Sequence, residues 1–404
     1  MDMFEINGKY GTALCYAKVC EDEAIKQIET MLDTPFAEGA KVRIMPDVHA
    51  GAGCTIGTTM TVTDKVVPNV VGVDIGCGMY TVKLDTKEID FARFDEVCHF
   101  IPSGMNVWEG KKENFDLTEL TCFRDLKETR RLVRSLGTLG GGNHFIEIDR
   151  ASDGTLYLVI HSGSRNLGKQ VAEFHQKMAV DLQSGKEEYF LKREEIIRTF
   201  KEQGRRSEIQ AELKKLQAQF EKKGPLVPAD LCWLYGPFLE NYLHDVKICQ
   251  AFAKRNRELM AQIILDSYGV KAVEAFHTVH NYIDTDEMIL RKGAIAAHEG
   301  EKVLIPINMR DGSILAYGKG NPEWNFSAPH GAGRIMSRSK AKATVLLEDF
   351  QKAMEGIYTT SVSEATIDES PMAYKSLEDI IDVVRESVDV IEVIKPVYNF
   401  KAAT

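Results

Sequence analysis

Val71–Tyr80, VGVDIGCGMY, joins an apolar run to a glycine-rich turn and sets Asp74 three residues before Cys77. A hard carboxylate and a soft thiolate so close, where the backbone is cramped, suit a first-row transition metal better than Mg²⁺ alone. Two ligands do not complete a site, so histidines elsewhere must supply the rest. Three qualify: His144 in GGNHF, His161 in HSGSR and His280 in HNY. Each sits beside Gly, Ser or Asn, next to a β-type run such as Leu156–Ile160. Five ligands of mixed type exceed one tetrahedral zinc site and suit two nearby metals, with the thiolate as a bridge. The competing reading makes Cys77 a core thiol and the histidines unrelated core residues. It is the better account of any single His, and a weaker one of several residues each set in its own polar turn after a strand.

Away from this stretch the chain mixes strands and helices. Asp22–Thr30 has Ala24, Ile25, Ile28 and Met31 at helical spacing. Val42–Met60 reads as a strand, a Pro46-Asp47 turn and a glycine-rich loop, with Asp47 and His49 as partners of a nearby metal or as incidental turn residues. Residues 85–135 read as helical and polar, with Arg130, Arg131 and Arg134 on a solvated face. Gly137–Ile148, GTLGGGNHFIEI, ends in a strand that puts Asn143, Phe145 and Glu147 on one face. Leu156–Ile160 is a second strand, leading to Ser162 and Arg165, types that a phosphate-binding turn uses. Residues 169–265 change character. Lys186–Lys223, with Ile196, Leu213 and Phe220 at helical spacing, reads as a projecting hairpin broken near Gly204, and a helix over Tyr235–Tyr268 carries a basic cluster through Arg257. Arg291-Lys292-Gly293 reads as a basic turn, and a last helix is expected over Leu377–Val390.

Length allows two or three domains, or one large α/β domain with an insertion. The formal net charge is −10, so any nucleic-acid site must be a local basic groove rather than bulk attraction. No apolar run is long enough to span a bilayer, and the N-terminus lacks a secretory pattern. The eight cysteines are scattered, with no C-x-x-C pair, which reads as reduced thiols in a cytoplasmic protein.

Ser327–Lys340, SAPHGAGRIMSRSK, is the second dense stretch. A glycine turn ahead of a helix is an anion site, and His330 stands at its mouth. A neutral imidazole is a competent nucleophile toward a nucleotide phosphate. Asn281, Ser162, Arg165, Arg334 and the glycine turns are available to hold phosphates. No P-loop pattern and no lysine-nucleotidylating K-x-D-G motif is present.

DIGCGM, GGNHF, HSGSR, HNY and HGAGR, in this order and spacing, resemble the RtcB family of RNA ligases, over about Met45 to Lys401. The resemblance implies an α/β fold of the α+β type: one catalytic domain over 1–404, a sheet-rich core around a dimetal cleft, and a helical insertion at about 169–265. It implies joining of RNA 3′-phosphate or 2′,3′-cyclic phosphate ends to 5′-hydroxyl ends, in RNA repair or tRNA splicing, with GTP and two Mn²⁺ ions. Asp74, Cys77, His144, His161 and His280 align with the metal ligands, and His330 with the guanylylated histidine. Asn143, Glu147, Asn281, Ser313 and Lys401 align with nucleotide contacts. Pro306, Asn308, Met309, Gly331, Ala332 and Gly333 belong to the nucleotide-contacting loops. An activating protein is a further expected partner, and a membrane is not. Ile307 and Asn308 depart from the usual Pro-Gly-Ser-Met, which marks a divergent branch. The alternatives are a metal-dependent cyclic phosphodiesterase or phosphatase, and a non-catalytic, nucleotide-bound RNA-end sensor.

Overall fold

Leu156–Ser162, LYLVIHS, is a near-continuous apolar run that the fold buries on both faces. Each large side chain in it, such as Leu158 or Ile160, stabilises the fold by about 1.5–3 kcal/mol through burial. The strand lies in an eight-stranded sheet. Ala272–Val279, Gly78–Leu84, Leu156–Ser162, Phe145–Arg150, Val388–Lys401, Gly312–Gly318 and Lys302–Asn308 follow one another in it, antiparallel throughout. Tyr358–Thr359 adds the remaining strand, parallel to Val388–Lys401. A six-stranded sheet holds Phe4–Asn7, Thr12–Cys15, Val42–His49, Ile56–Thr61, Ile289–Lys292 and Asn281–Asp284. The computed structural model describes residues 3–18, 20–219 and 224–402.

The two faces of the larger sheet do different work. Ile146, Ile148, Leu158 and Ile160 pack with Phe94 of helix Phe91–Phe100 and Met260 and Ile264 of helix Gly236–Tyr268. The opposite face carries Phe145, Glu147 and Asp149, paired with His161, Val159 and Tyr157. The functional residues collect on this second face. The result is the mixed α/β, single-domain architecture expected of the α+β type, with the antiparallel strands curled around one cleft.

Helices Arg165–Gln183, Glu187–Glu202, Ile209–Gln217 and Gly236–Tyr268 fill the region of the expected insertion. Gly204, at φ +74, turns the chain between the middle two. Phe220 and Lys223 of the expected hairpin lie outside the described residues. Helix Gly236–Tyr268 brings Lys254 and Arg257 to the wall of a cleft that His277 shares. It runs between two cores, with Val246 and Phe252 in one and Met260 in the other. Asn256 and Arg257 are fully buried, and Arg255 pairs with Glu113 at 2.6 Å.

Other expectations are corrected by pairing. Pro46 and Asp47 lie inside strand Val42–His49 rather than in a turn; a register shift between Ile44 and His49 absorbs the proline, which has no N–H to pair. Arg291 and Lys292 end a strand and are buried, with Lys292 Nζ donating to Ala52 O at 2.7 Å. The last helix stops at Val384, and Val388–Lys401 becomes a strand within the larger sheet. Its alternating Val388, Val390 and β-branched followers fit a pleated surface. Residues 101–128 are mostly irregular rather than helical, since polar spacing alone does not make a helix without a packed face. That segment is pinned instead by buried Asp245, which accepts from Thr121 N at 2.7 Å, Thr121 Oγ1 at 2.8 Å and His175 Nε2 at 2.8 Å.

Asp245→Ala leaves those donors unpaired in the core. It is expected to lower unfolding free energy by about 3 kcal/mol or more, read by urea denaturation. An unchanged midpoint would place the anchor of this segment elsewhere.

Candidate active site

The turn after the short helix Pro68–Val71 brings Asp74 and Cys77 to the edge of strand Gly78–Leu84. Leu156–Ser162 brings His161, the turn before Phe145–Arg150 brings His144, and His280 follows Ala272–Val279. These five side chains meet. Cys77 Sγ lies 3.4 Å from His144 Nε2 and 3.3 Å from His161 Nε2. His144 Nε2 is 3.0 Å from Asp74 Oδ2, and His161 Nε2 is 3.1 Å from His280 Nε2. Gly163 is required by close approach, because a Cβ there would strike the Asp74 carboxylate.

The tautomers follow from the partners. His144 Nδ1 donates to Leu139 O at 2.9 Å, and His161 Nδ1 donates to Asn143 O at 3.0 Å. A carbonyl can only accept, so in each neutral ring Nε2 carries a lone pair aimed inward. Burial holds His161 and His280 well below the ordinary histidine range. Burial would raise the Asp74 carboxyl, but the bond and charge of a protonated His144 outweigh it and keep Asp74 below its usual range, whereas a neutral His144 offers that carboxylate no donor. Burial, and then the Asp74 charge, push the Cys77 thiol well up in the absence of a cation. Acceptors here outnumber protons. A soft-to-borderline divalent cation satisfies such a set, so the residues fit a metal.

Two residues behind the cluster hold its loops. Arg257 Nη1 donates to Gly76 O at 2.7 Å and Ser162 O at 2.8 Å. Its guanidinium faces Asp74 and Cys77, and burial brings its pKa down to about 10. Asn256 bonds Gly137 N, Thr138 O and Gly163 O. In the sequence both belong to the basic cluster, which reads as a groove lining, and nothing there marks them as anchors of these loops.

His330 stacks on His280, with ring centroids 4.9 Å apart and an 18° tilt. Its Nδ1 donates to Asp47 Oδ2 at 2.7 Å, and its backbone N–H reaches the same oxygen at 3.2 Å. Asp47 is fully buried, and its Oδ1 has no partner among the described residues. With Nδ1 committed, the neutral ring keeps its lone pair on Nε2. The glycine turn does not run directly into a helix as expected; that helix starts at Arg338, capped by Ser337.

His330 opens on a cavity of about 440 Å³, within the usual range for small-molecule sites. Asn143, Phe145 and Glu147 line one wall, Pro306, Asn308 and Met309 another, and Gly331, Ala332, Gly333 and Arg334 a third. Asn399 and Lys401 close it from the C-terminal strand. Lys401 Nζ pairs with Glu369 at 2.9 Å, and Glu369 also takes Tyr374 OH at 2.7 Å and a bond from Arg338. Burial opposes ionisation of Glu369, but the Lys401 and Arg338 charges bring it down to about 2. Glu369, Arg338 and Tyr374 carried no motif in the sequence.

Other candidates lie off this cavity. Ser313 is fully buried beneath it. Asn281 accepts from Gly293 N at 3.0 Å through Oδ1. Ser162 donates to Leu139 O at 2.8 Å, and Arg165 to Gly104 O at 2.6 Å, so both brace the loops around the cluster. Arg334 lines the cavity but donates to Asp368 O at 2.6 Å. Of the departures, Ile307 joins an apolar cluster with Ile305 and Ile314, while Asn308 caps a tight turn through Asp311 at 2.8 Å.

The sequence matches the family described as "tRNA-splicing ligase RtcB" over residues 27–128 and 121–402. It is 29% identical to an RNA-splicing ligase RtcB of Escherichia coli (strain K12), covering 94% of each chain. A tRNA-splicing ligase RtcB of Aeropyrum pernix is 26% identical, over 92% of this chain and 90% of that one. An RNA-splicing ligase RtcB of Mycobacterium bovis is 28% identical, over 85% and 92%. A buried metal-type cage beside a nucleotide-sized cavity is the site of an enzyme, and these matches make its class RNA ligase. The chain belongs to the RtcB family, as a divergent member. No helix among the described residues is long and apolar enough to cross a membrane.

Burial raises Glu147 from 4.5 to about 7 in the fold. A folded pKa above the unfolded one favours folding fully below pH 4.5, and that contribution is lost as the pH rises through about 7. The metal-free, nucleotide-free protein is therefore expected to lose stability across that window. Thermal melts of Glu147→Gln are expected to show a shallower slope, since Asp149, also raised by burial, still contributes over that window, and an identical slope would assign it wholly to another group.

Proposed function

We propose that the protein joins RNA 3′-phosphate or 2′,3′-cyclic phosphate ends to 5′-hydroxyl ends, using GTP and a guanylylated His330. The observation that carries this reading is His330 itself. It is held through Nδ1 by a buried carboxylate, keeps Nε2 free of that bond, and sits between the cage and the cavity. A cyclic phosphodiesterase has no need of a nucleotidylated histidine, and an RNA-end sensor would tolerate loss of the metal ligands that this chain keeps.

In the first step His330 Nε2 attacks the α-phosphate of GTP. A P–N bond forms, the bond to the β-phosphate oxygen breaks, and pyrophosphate leaves. Asp47 offsets the positive charge that develops on the ring. In the second step an oxygen of the RNA 3′-phosphate attacks the same phosphorus, His330 leaves, and the RNA end carries GMP. The 5′-hydroxyl oxygen then attacks the RNA phosphorus and GMP departs. A cyclic phosphate is first opened by water.

Asp74, Cys77, His144, His161 and His280 would hold two Mn²⁺ ions, which supply neutralising charge for phosphates that must approach one another. Asn143, Glu147, Pro306, Asn308, Met309, Gly331, Ala332, Gly333 and Lys401 surround the nucleotide, with Asn281 and Ser313 supporting from behind. Arg334 faces phosphate, whereas Ser162 and Arg165 act through the loops they brace. Eight free cysteines suit the reducing cytoplasm.

Incubation with α-³²P-GTP and Mn²⁺ is expected to leave an acid-labile label on the protein. His330→Ala is expected to abolish the label at normal metal content; loss of both would make His330 a ligand or fold residue. Asp47→Asn is expected to slow labelling by about 100-fold or more, because the ring loses its fixed tautomer. Elemental analysis of Cys77→Ser is expected to show reduced metal, and full loading would remove the thiolate from the cage.

A further inference from the structure

Beneath the cavity, both oxygens of Asp149, Oγ of Ser313 and Oδ1 of Asn399 are buried with no hydrogen-bond partner among the described residues. They belong to three neighbouring strands of the larger sheet: Phe145–Arg150, Val388–Lys401 and Gly312–Gly318. Asp149 is fully buried, two residues beyond Glu147 on the same face, with Tyr157 across from it. Glu147 lines the cavity and accepts from Asn399 Nδ2 at 2.6 Å. Asp149 does not reach the cavity, so the nucleotide reading leaves it without a task.

An ionised carboxylate with no donor on either oxygen, next to a second carboxylate, is a strongly disfavoured buried arrangement. A protonated carboxyl brings its own donor, and Glu147 is the acceptor beside it. Burial, and then the Glu147 charge, push Asp149 well above the carboxylate range. Burial also raises Glu147, but the Asp149 carboxyl beside it, the bond from Asn399 and the Lys401 charge oppose it. The groups acting on the pair are Lys401 and Lys395 from one neighbouring strand and the Ser313 hydroxyl from the next. One proton therefore serves two carboxyls, and it belongs on the deeper one.

We propose that Asp149 is a positioning residue for base specificity: it retains a proton, donates it to Glu147, and holds Glu147 as an ionised acceptor facing the cavity. The ligand class is a purine whose edge offers adjacent donors. Guanine presents N1–H beside its 2-amino group, which a fixed carboxylate accepts together. Adenine presents a lone pair at N1, which the same carboxylate repels. This inference rests on the reading that GTP occupies the cavity with its base at Glu147.

The test measures nucleotidylation rates of the Mn²⁺-loaded protein with GTP, ITP and ATP. Asp149→Leu is expected to lose about tenfold or more of the GTP-over-ATP preference while metal content and the ATP rate stay unchanged. Asp149→Asn, whose amide replaces the donor, is expected to retain most of that preference. Retention in Asp149→Leu, or equal loss in Asp149→Asn, would overturn the proposal. If Asp149→Leu does not fold, the infrared difference between wild type and Asp149→Asn at neutral pH decides: a carboxylic-acid carbonyl band supports the proton, and its absence overturns it. Glu147→Gln separates the two ideas. If it leaves the preference intact, the base does not sit at Glu147 and the underlying reading fails. If it abolishes the preference and Asp149→Leu does not, only the role of Asp149 fails.

Discussion

Acceptor groups that cannot satisfy one another converge between Asp74, Cys77, His144, His161 and His280, and much of the surrounding structure exists to hold them there. Side chains with lone pairs or negative charge separate unless the backbone forces them together. Here the force comes from fixed tautomers and pinned loops. The carbonyls of Leu139 and Asn143 take the Nδ1 protons and turn both Nε2 atoms inward. Arg257 and Asn256, on one buried helix, tie Gly76, Ser162, Gly163 and Thr138 into a single frame. A bound cation would relieve the repulsion that this frame sustains.

The remainder of the site uses the same sheet face, graded in charge. His161 lies at the cluster end, Phe145 and Glu147 follow along the cavity wall, and Asp149 is deepest. Opposite them, Lys401, Arg334 and Arg338 gather around Glu369. That carboxylate holds the three cations in place at the cavity wall and lowers the cost of crowding them. His330 stands between cage and cavity, joined to the first by stacking on His280 and held by Asp47 from the smaller sheet. His330 thus ties the cage to a strand of the smaller sheet.

The divergence at Ile307 and Asn308 is local in its effect. Ile307 fills an apolar cluster, and Asn308 caps its turn through Asp311 and the Arg310 N–H. The loop is stabilised by its own packing and turn bonds, so the changes alter the lining of the cavity without disturbing the cage.

Motifs with short-range chemistry were legible in the sequence. DIGCGM, GGNHF, HSGSR, HNY and HGAGR each join a reactive side chain to a polar or glycine turn, and turn chemistry is local. The helices of residues 169–265 were legible for the same reason, because periodicity is local, and the α+β class came with the resemblance that those motifs carry. Long-range pairing decided the rest. Val388–Lys401 is a strand because the sheet has a place for it, and Pro46 stays in a strand because a register shift absorbs its missing N–H. Arg257 read as part of a groove-lining basic cluster and is buried because two carbonyls 181 and 95 residues away accept from it. Asp47 and His330, 283 residues apart, make a pair only once strand Val42–His49 is packed against the turn after Ser327–Pro329. Chain-local chemistry determined which residues can react; burial and convergence, which no single segment encodes, determined which of them meet.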